Sequence, residues 1–374
     1  MKAIIILLSF FFLVNKTIAQ EESKYQSVDK IILSIPVSQT STTDDIAAFI
    51  KIHFQTDAQK IRAAYTWVTT NIKYDTDSVH RVILDEDKNE KVTFALRRRK
   101  GICENFAAIF YDLCKKSGIQ SYAIEGYTKQ NGFVDRTAHV WCGALVDHKW
   151  YLFDPTWDAG FINRGAFVSS TTTNYFELDP EDFIQTHMPY DPLFQFLNYP
   201  VSYEEFSKGA TKINSKKPFF NFEDSLVAYE NMDHLSQYLT SFQRIKEATN
   251  ATSVMRDIKL KQLKLETEII YQDRDMALYD SSVDNYNNAI KIFNTFLNYR
   301  NNQFKPAKTN EEVSAMFDRI SKFIESANLN IKEIKSSKAV LTLDTGDIQK
   351  KLTDLSAKMK EQKDYLKTYL SSTK

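Results

Sequence analysis

A 374-residue chain in which 48 Lys and Arg are matched by 48 Asp and Glu carries no net charge, so its balance does not point to nucleic acid or an anionic membrane surface as a partner. Hydrophobic residues make up 43% and aromatic residues 13% of it, a globular rather than a disordered composition. Three cysteines are too few for a disulfide scaffold, and their odd number flags a free thiol.

The chain opens on Met1-Lys2, an apolar Ala3-to-Val14 stretch and Thr17-Ile18-Ala19 before Gln20-Glu21-Glu22. This pattern predicts a secretory signal peptide over residues 1–19. The apolar run is too short to span a bilayer, and no cysteine follows the cut to carry a lipid anchor. No later segment is apolar enough to cross a membrane. The expectation is an exported protein without stable membrane insertion, in a periplasm or outside the cell. Its net charge is −2 once Lys2 and Lys16 leave with the signal, 46 cations then facing 48 anions. Residues 20–42 read as a poorly structured extension with a short strand near Ile31-Ile32-Leu33.

Thr43-Asp44-Asp45 opens a predicted helix through Phe54, and Thr56-Asp57 opens a second ending near Asn71. A loop carrying Asp85 to Lys91 leads to Phe94-Ala95-Leu96 and the basic run Arg97-Arg98-Arg99-Lys100. Such a run is usually solvated. Standing directly before Cys103, it is also placed to hold acidic substrate or to favour a thiolate. Cys103 follows Gly101 and begins an apolar run of Phe106, Ala107, Phe110, Leu113 and Cys114 at helical spacing. Lys115-Lys116-Ser117-Gly118 then stops the helix. A strand follows at Ser121–Gly126, then a loop from Lys129 to Arg136 containing Asn131-Gly132. Val140–Val146 and Lys149–Phe153 read as a hairpin around a tight Asp147-His148 turn. In that register Val146 pairs with Lys149, His139 falls opposite Thr156, and His139 shares a face with Trp141, Leu145, Trp150, Leu152 and Asp154. Helices followed by an antiparallel sheet packed on the Cys103 helix make an α+β domain.

Cys103, His139 and Asp154 are a thiol, an imidazole and a carboxylate, the set that acyl transfer through cysteine requires. At a helix N-terminus the free amides and the helix dipole favour a thiolate and offer an oxyanion hole. Each residue alone has a bland reading, as a small buried hydrophobe or a hydrogen-bonded strand histidine. Together, in order, they predict a geometric triad. The Cys114 face of the helix is expected on the hairpin face that carries His139. Cys142 then points the other way, so Cys114 and Cys142 are expected as two buried free thiols. The other histidines show no paired metal-ligand spacing, and neither a metal site nor a cofactor is expected.

These blocks resemble the transglutaminase-like superfamily, whose thiol chemistry is related to that of papain-type peptidases, and within it the branch of the kyphoscoliosis peptidase and cytokinesis-linked homologues. The resemblance rests on Gly101–Ala107, Ala138–Trp141 and Phe153–Trp157. It extends to Arg62–Trp67 with Asn71–Asp75, Tyr175–Phe183, His187-Met188-Pro189 and Pro200–Phe206. It implies Cys103 as nucleophile, His139 as base and Asp154 as orienting acid, in a catalytic domain over 43–210. This chain has His139-Val140-Trp141-Cys142 where members of the branch often have His-Ala-Trp-Asn. Trp67, Tyr74, Trp141 and Trp157 are candidate substrate-binding or oxyanion residues, although core packing is the commoner aromatic role.

From about Thr211 glycine and proline thin out and helical patterns take over. Val283, Tyr286, Ile290, Phe293 and Leu297 form one stripe, and Ile348, Leu352, Leu355, Met359 and Leu366 another. Thr309-Asn310-Glu311-Glu312 is a capping box ahead of Val313. Residues 211–374 are thus expected as an all-α, bundle-like region, a scaffold or a site of partner binding or self-association. The functional expectation is an exported cysteine acyl-transfer enzyme acting on protein or peptide amides through a thioester, either a peptidase or amidase or a transglutaminase. The alternatives are a non-catalytic binding module and a structural envelope protein dominated by its helical half.

Overall fold

The computed structural model describes residues 25–77, 88–248 and 253–372; the predicted signal peptide and residues 85–87 of the predicted acidic loop lie outside them. The stretch expected to be poorly structured, with a strand at 31–33, instead opens with helix α1 (25–32). Val28 and Ile32, four residues apart, are buried at 2% and 0% exposure, while Ile31 and Leu33 face out. A 3.6-residue period, not alternation, decides the element. Helix α2 (Thr43–His53) starts under Thr42, whose hydroxyl accepts from the Asp45 amide. Helix α3 (Asp57–Asn71) starts under a Thr56/Gln59 capping box. Arg62 on α3 clamps Asp29 of α1 through two bonds of 2.7 and 2.6 Å.

The short strand β1 (Lys73–Tyr74) follows. Helix α4 (Lys88–Arg98) occupies the second half of the predicted loop, because Val92, Ala95 and Leu96 gather on one face and are drawn into the core. Strand β2 (Lys100–Gly101) pairs in parallel with β1, Tyr74 opposite Gly101. Helix α5 (Cys103–Lys116) then buries Phe106, Ala107, Ile109, Phe110, Leu113 and Cys114.

Strand β3 (Ser121–Gln130) runs past its predicted end. It turns at Asn131-Gly132, both at positive φ, into β4 (Phe133–Val134). Strands β5 (His139–Val146) and β6 (Lys149–Phe153) pair with Val146 opposite Lys149 and Cys142 opposite Phe153. This is the predicted register, closed by Asp147 and His148 at φ of 47° and 68°, as a two-residue hairpin turn demands. Asp154 caps α6 (Pro155–Ala159); β7 (Gly160–Asn163) and β8 (Ala166–Ser169) form a separate hairpin. After α7 (Pro180–Phe183), β9 (His187–Pro189) joins the sheet beside β3. The sheet order is β4-β3-β5-β6, with β9 also on β3.

The helix-facing side of this sheet is the reverse of the one expected. Cys142, Ala144, Val146 and Phe153 share the core of α5, whereas Trp141, Trp150 and Leu152 pack with Phe183, Leu193, Phe196 and Phe222 on the other face. Small side chains at Ala107, Cys142 and Ala144 let helix and strand approach. The Cys142 thiol even donates to the Ala107 carbonyl at 3.3 Å, while the Trp141 face needs more room.

Helix α8 (Tyr203–Lys208) starts under Ser202, and α9 (Phe222–Glu230) adds Phe222 and Leu226 to the aromatic face. Helix α10 (His234–Glu247) and the 48-residue α11 (Val254–Asn301) lead into α12 (Asn310–Lys335) and α13 (Gly346–Ser372). Two compact units result. The first runs through Asp233 and includes Thr240–Leu260; the second comprises His234–Leu239 and Lys261–Lys374. The second unit is a bundle whose core includes Phe293, Phe296, Phe317, Ile320, Ile324, Ile331, Leu352 and Leu355. Ser282 bonds to Ala327 and Phe296 meets Phe317, while Gln349 bonds to Asn328 and Ser321 to Met359. Both pairings run antiparallel. No helix among the described residues is long and apolar enough to cross a membrane.

One glycine fixes the position of β9. Gly126 pairs with His139 on one side and Pro189 on the other. A Cβ there would lie 2.1 Å from the Met188 carbonyl oxygen and 2.6 Å from Pro189 Cα. Gly126→Ala is expected to cost about 1–3 kcal/mol, as overpacking does. The check is a lowered urea midpoint at unchanged m for the full-length chain.

Candidate active site

Cys103 is the first residue of α5 and is half-buried. The approach to it is tightly held. Lys73 and Asp75 donate backbone bonds to the Arg99 and Gly101 carbonyls at 3.0 and 2.8 Å. The Ile102 amide donates to Asn105 Oδ1 at 2.9 Å, and Asn105 Nδ2 donates onward to the Lys91 carbonyl. Gly101 is required there, since a Cβ would lie 2.6 Å from that of Asn105. The thiol thus sits at the mouth of a helix whose first amides have no intrahelical acceptor.

His139, at the start of β5, is buried and faces Asp154, the residue after β6. His139 Nε2 lies 2.7 Å from Asp154 Oδ2, and the Cys103 side chain is near enough to act on the charge of the ring. Because Nε2 is committed to Asp154, Nδ1 is the atom left for Cys103. Burial alone would lower the His139 pKa. The charge and hydrogen bond of Asp154, seconded by Cys103, outweigh it and raise the imidazole to about 10. Burial likewise opposes ionisation of Asp154, and the His139 cation, with bonds from His139 and His187, reverses this and holds the carboxyl well below its usual range. Of the sequence-predicted Cys103, His139 and Asp154, the structure joins His139 and Asp154 by a hydrogen bond and sets Cys103 near enough to act on the imidazole.

Asp154 is tied at every polar atom. Its Oδ1 accepts from the Thr156 and Trp157 amides at 2.8 and 3.2 Å as the cap of α6. Its amide donates to the Tyr175 carbonyl, and its own carbonyl accepts from the Tyr65 hydroxyl at 2.9 Å.

His187 is the functional-site residue that sequence reasoning missed. It comes from β9, is 1% exposed, and its Nε2 lies 3.2 Å from the same Asp154 Oδ2. Its Nδ1 lies 2.8 Å from Thr186 Oγ1. A search for paired metal-ligand spacing passes over it, because only the β3–β9 pairing brings it to a partner 33 residues away. Its one sequence signal is its place in the His187-Met188-Pro189 block. His139, Asp154 and His187 form a cluster whose ligand atoms lie within 4.8 Å of one another. A tetrahedral zinc with bonds of about 2.0–2.1 Å would hold its donors about 3.3 Å apart. The 2.7 Å His139–Asp154 separation is instead that of a charge-assisted hydrogen bond.

The four aromatic candidates separate. Trp67 and Trp141 are fully buried and present no surface to a substrate; core packing replaces the binding role expected of them. Trp67 lies beneath the Arg99 guanidinium at 4.9 Å, and Trp141 packs edge-on to His187. Tyr74 and Trp157 are half-buried at the site. Burial, aided by the Cys103 charge, pushes the Tyr74 phenol up to about 12 and keeps it a neutral donor. The Trp157 ring lies 5.7 Å from that of His139. Most of the basic run is spoken for: Arg98 and Lys100 pair with buried Asp75, and Arg99 binds Thr40. Cys114 and Cys142 are free and buried.

A family model described as the transglutaminase-like superfamily matches residues 46–155. The chain is 26% identical over 215 residues to the kyphoscoliosis peptidase of Homo sapiens, covering 55% of this chain and 31% of that protein. It is 24% identical over 203 residues to hillarin of Drosophila melanogaster, covering 49% and 24%. The chain thus spans less than a third of the length of these relatives. A solved structure described as a TGase aligns over 42% of each chain at 18% identity, with a TM-score of 0.25. Residues 46–155 thus match a transglutaminase-like domain.

Proposed function

We propose that the protein is an exported cysteine-dependent acyl-transfer enzyme that acts on protein or peptide amides. The observation that carries this reading is the His139–Asp154 hydrogen bond of 2.7 Å with the Cys103 side chain close enough to act on the same imidazole. The similarity to a peptidase in the curated relatives supports it, and the predicted signal peptide supports export.

In this reading His139 Nδ1 takes the Cys103 proton, leaving a thiolate–imidazolium pair stabilised by Asp154. The sulfur attacks the amide carbonyl carbon, and the oxyanion that forms is met by first-turn amides of α5, with the Tyr74 hydroxyl close by. Collapse breaks the C–N bond as His139 returns its proton to the leaving nitrogen, which leaves a thioester on Cys103. Water or a second amine, deprotonated by His139, then attacks the thioester and releases the thiolate. Whether acyl goes to water or to amine depends on how well the site excludes water. Half-buried Trp157 and Tyr74 are the side chains placed to govern that.

Two measurements test the reading. Iodoacetamide should alkylate Cys103 well below the range of an ordinary thiol, about 8.5, while Cys114 and Cys142 stay unmodified. His139→Ala should slow low-pH alkylation by about 10²-fold. Peptide mass spectrometry separates the three sites. Ordinary thiol behaviour unaffected by the mutation would instead leave a non-catalytic binding module. The second measurement is the pH profile of amide turnover. His139 must be protonated to release the amine, and its raised pKa means that proton is lost only as pH rises through about 10. Turnover should therefore hold through the neutral range and fall above it. Asp154→Asn, which removes the main charge that raises His139, should move this alkaline limb down by several pH units.

A further inference from the structure

We infer that His187 is a positioning residue: as a neutral imidazole it donates its Nε2–H to Asp154 Oδ2 and locks the carboxylate in the orientation that holds His139 toward Cys103. This role presupposes the acyl-transfer reading of those three residues.

The direction of the bonds follows from the atoms present. Asp154 Oδ2 receives two imidazole nitrogens, His139 at 2.7 Å and His187 at 3.2 Å. An ionised carboxylate only accepts, so both nitrogens carry hydrogen. Were both rings cations, the buried cluster would hold two positive charges against one negative, which burial opposes. One ring is therefore neutral. His187 is the one enclosed by apolar rings, with those of Phe183, Trp157, Trp141 and Tyr175 centred 4.2, 4.5, 5.1 and 5.3 Å away. A neutral ring with hydrogen on Nε2 has a lone pair on Nδ1, and Thr186 Oγ1 is 2.8 Å from it, placed to donate. The other partner of that hydroxyl, the Phe183 carbonyl, is farther away at 3.5 Å.

The titratable groups facing His187 are Asp154 at the α6 cap, His139 on β5, Asp135 in the β4–β5 connection and Tyr175 in the segment before α7. Burial dominates and holds the imidazole down at about 4 against the pull of Asp154, with the His139 cation acting in the same sense as burial.

A neutral donor suits this position. Oδ1 is already fixed by two amides, and a single bond at Oδ2 would leave the carboxylate free to follow His139 rather than direct it. A lysine or arginine in place of His187 would compete for the charge of Asp154, because charged donors bind about twice as strongly as neutral ones. A neutral imidazole orients the acceptor and leaves its charge to His139.

The test compares His187→Phe, which keeps a ring but loses the donor, with His187→Gln, whose amide nitrogen can reach the same oxygen. Both are made in the full-length chain and read by the pH profile of Cys103 alkylation. The expected result is a loss of about tenfold in low-pH alkylation for His187→Phe, with the rate at high pH, where any thiol ionises, unchanged, and recovery of the wild-type profile by His187→Gln. An unchanged profile in His187→Phe overturns the inference. So does an equal loss in both variants, which would assign the effect to packing. If the wild-type profile itself shows no His139-dependent low-pH alkylation, the acyl-transfer reading falls, and the positioning role falls with it. Should either variant fail to fold, histidine 15N NMR of the wild-type protein decides. A neutral Nε2–H tautomer for His187 at neutral pH supports the role; a charged ring or an Nδ1–H tautomer overturns it.

Discussion

The first unit is organised around the burial of one carboxylate. Asp154 has no exposed surface, and a lone ionised group there would be untenable. It persists because seven bonds converge on it: two α6 amides at Oδ1, two imidazoles at Oδ2, the Tyr65 hydroxyl and the Asp158 amide at its carbonyl, and the Tyr175 carbonyl at its amide. Each of those partners is in turn positioned by something else. Tyr65 belongs to the buried face of α3 and also bonds Asp158, which holds the amides of Asn174 and Tyr175. His187 depends on β9, which depends on Gly126. Satisfying the carboxylate and assembling the site are the same structural problem, which is why one residue both caps a helix and orients a histidine.

The thiol is placed by a different device. Cys103 is not held by its own side chain but by the backbone before it, where β1 pairs with β2 and Asn105 folds back over Gly101. The basic run serves this placement. Arg98 and Lys100 neutralise Asp75, one residue past β1, and Arg99 reaches Thr40 ahead of α2. Cations that would otherwise be free to meet a substrate are consumed in fixing the strand that leads to the nucleophile.

What was legible in the sequence was local. The hairpin register follows from a two-residue turn and period-2 alternation, and with it the placing of Asp154 beside His139. The start of α5 followed from a glycine and a helical apolar period. Three things were not local. Helix α1 looked like a strand because Ile31-Ile32-Leu33 is apolar with two β-branched isoleucines; its true period shows only with Val28 and with the Asp29–Arg62 clamp from α3. The sheet face that α5 covers was misjudged because alternation says which residues share a face but not which layer lies over it. His187 could not be seen because its partner is fixed by a pairing between strands far apart in the chain.

The reversed face bears on redox chemistry as well as packing. With α5 on the Cys142 side, Cys114 and Cys142 share one core cluster, close enough for the charge of one to act on the other. They remain free thiols, and burial raises the pKa of both, while Cys142 is further occupied as a donor to Ala107. The thiolate is the reactive form towards oxidants, disulfides and electrophiles. Two thiols kept protonated inside the core are inert where an exposed pair would oxidise. Cys103, half-buried at a helix start, is the one of the three that is not shut inside the core. That difference in burial leaves one thiol of the three open to reagents, without a disulfide to protect the other two.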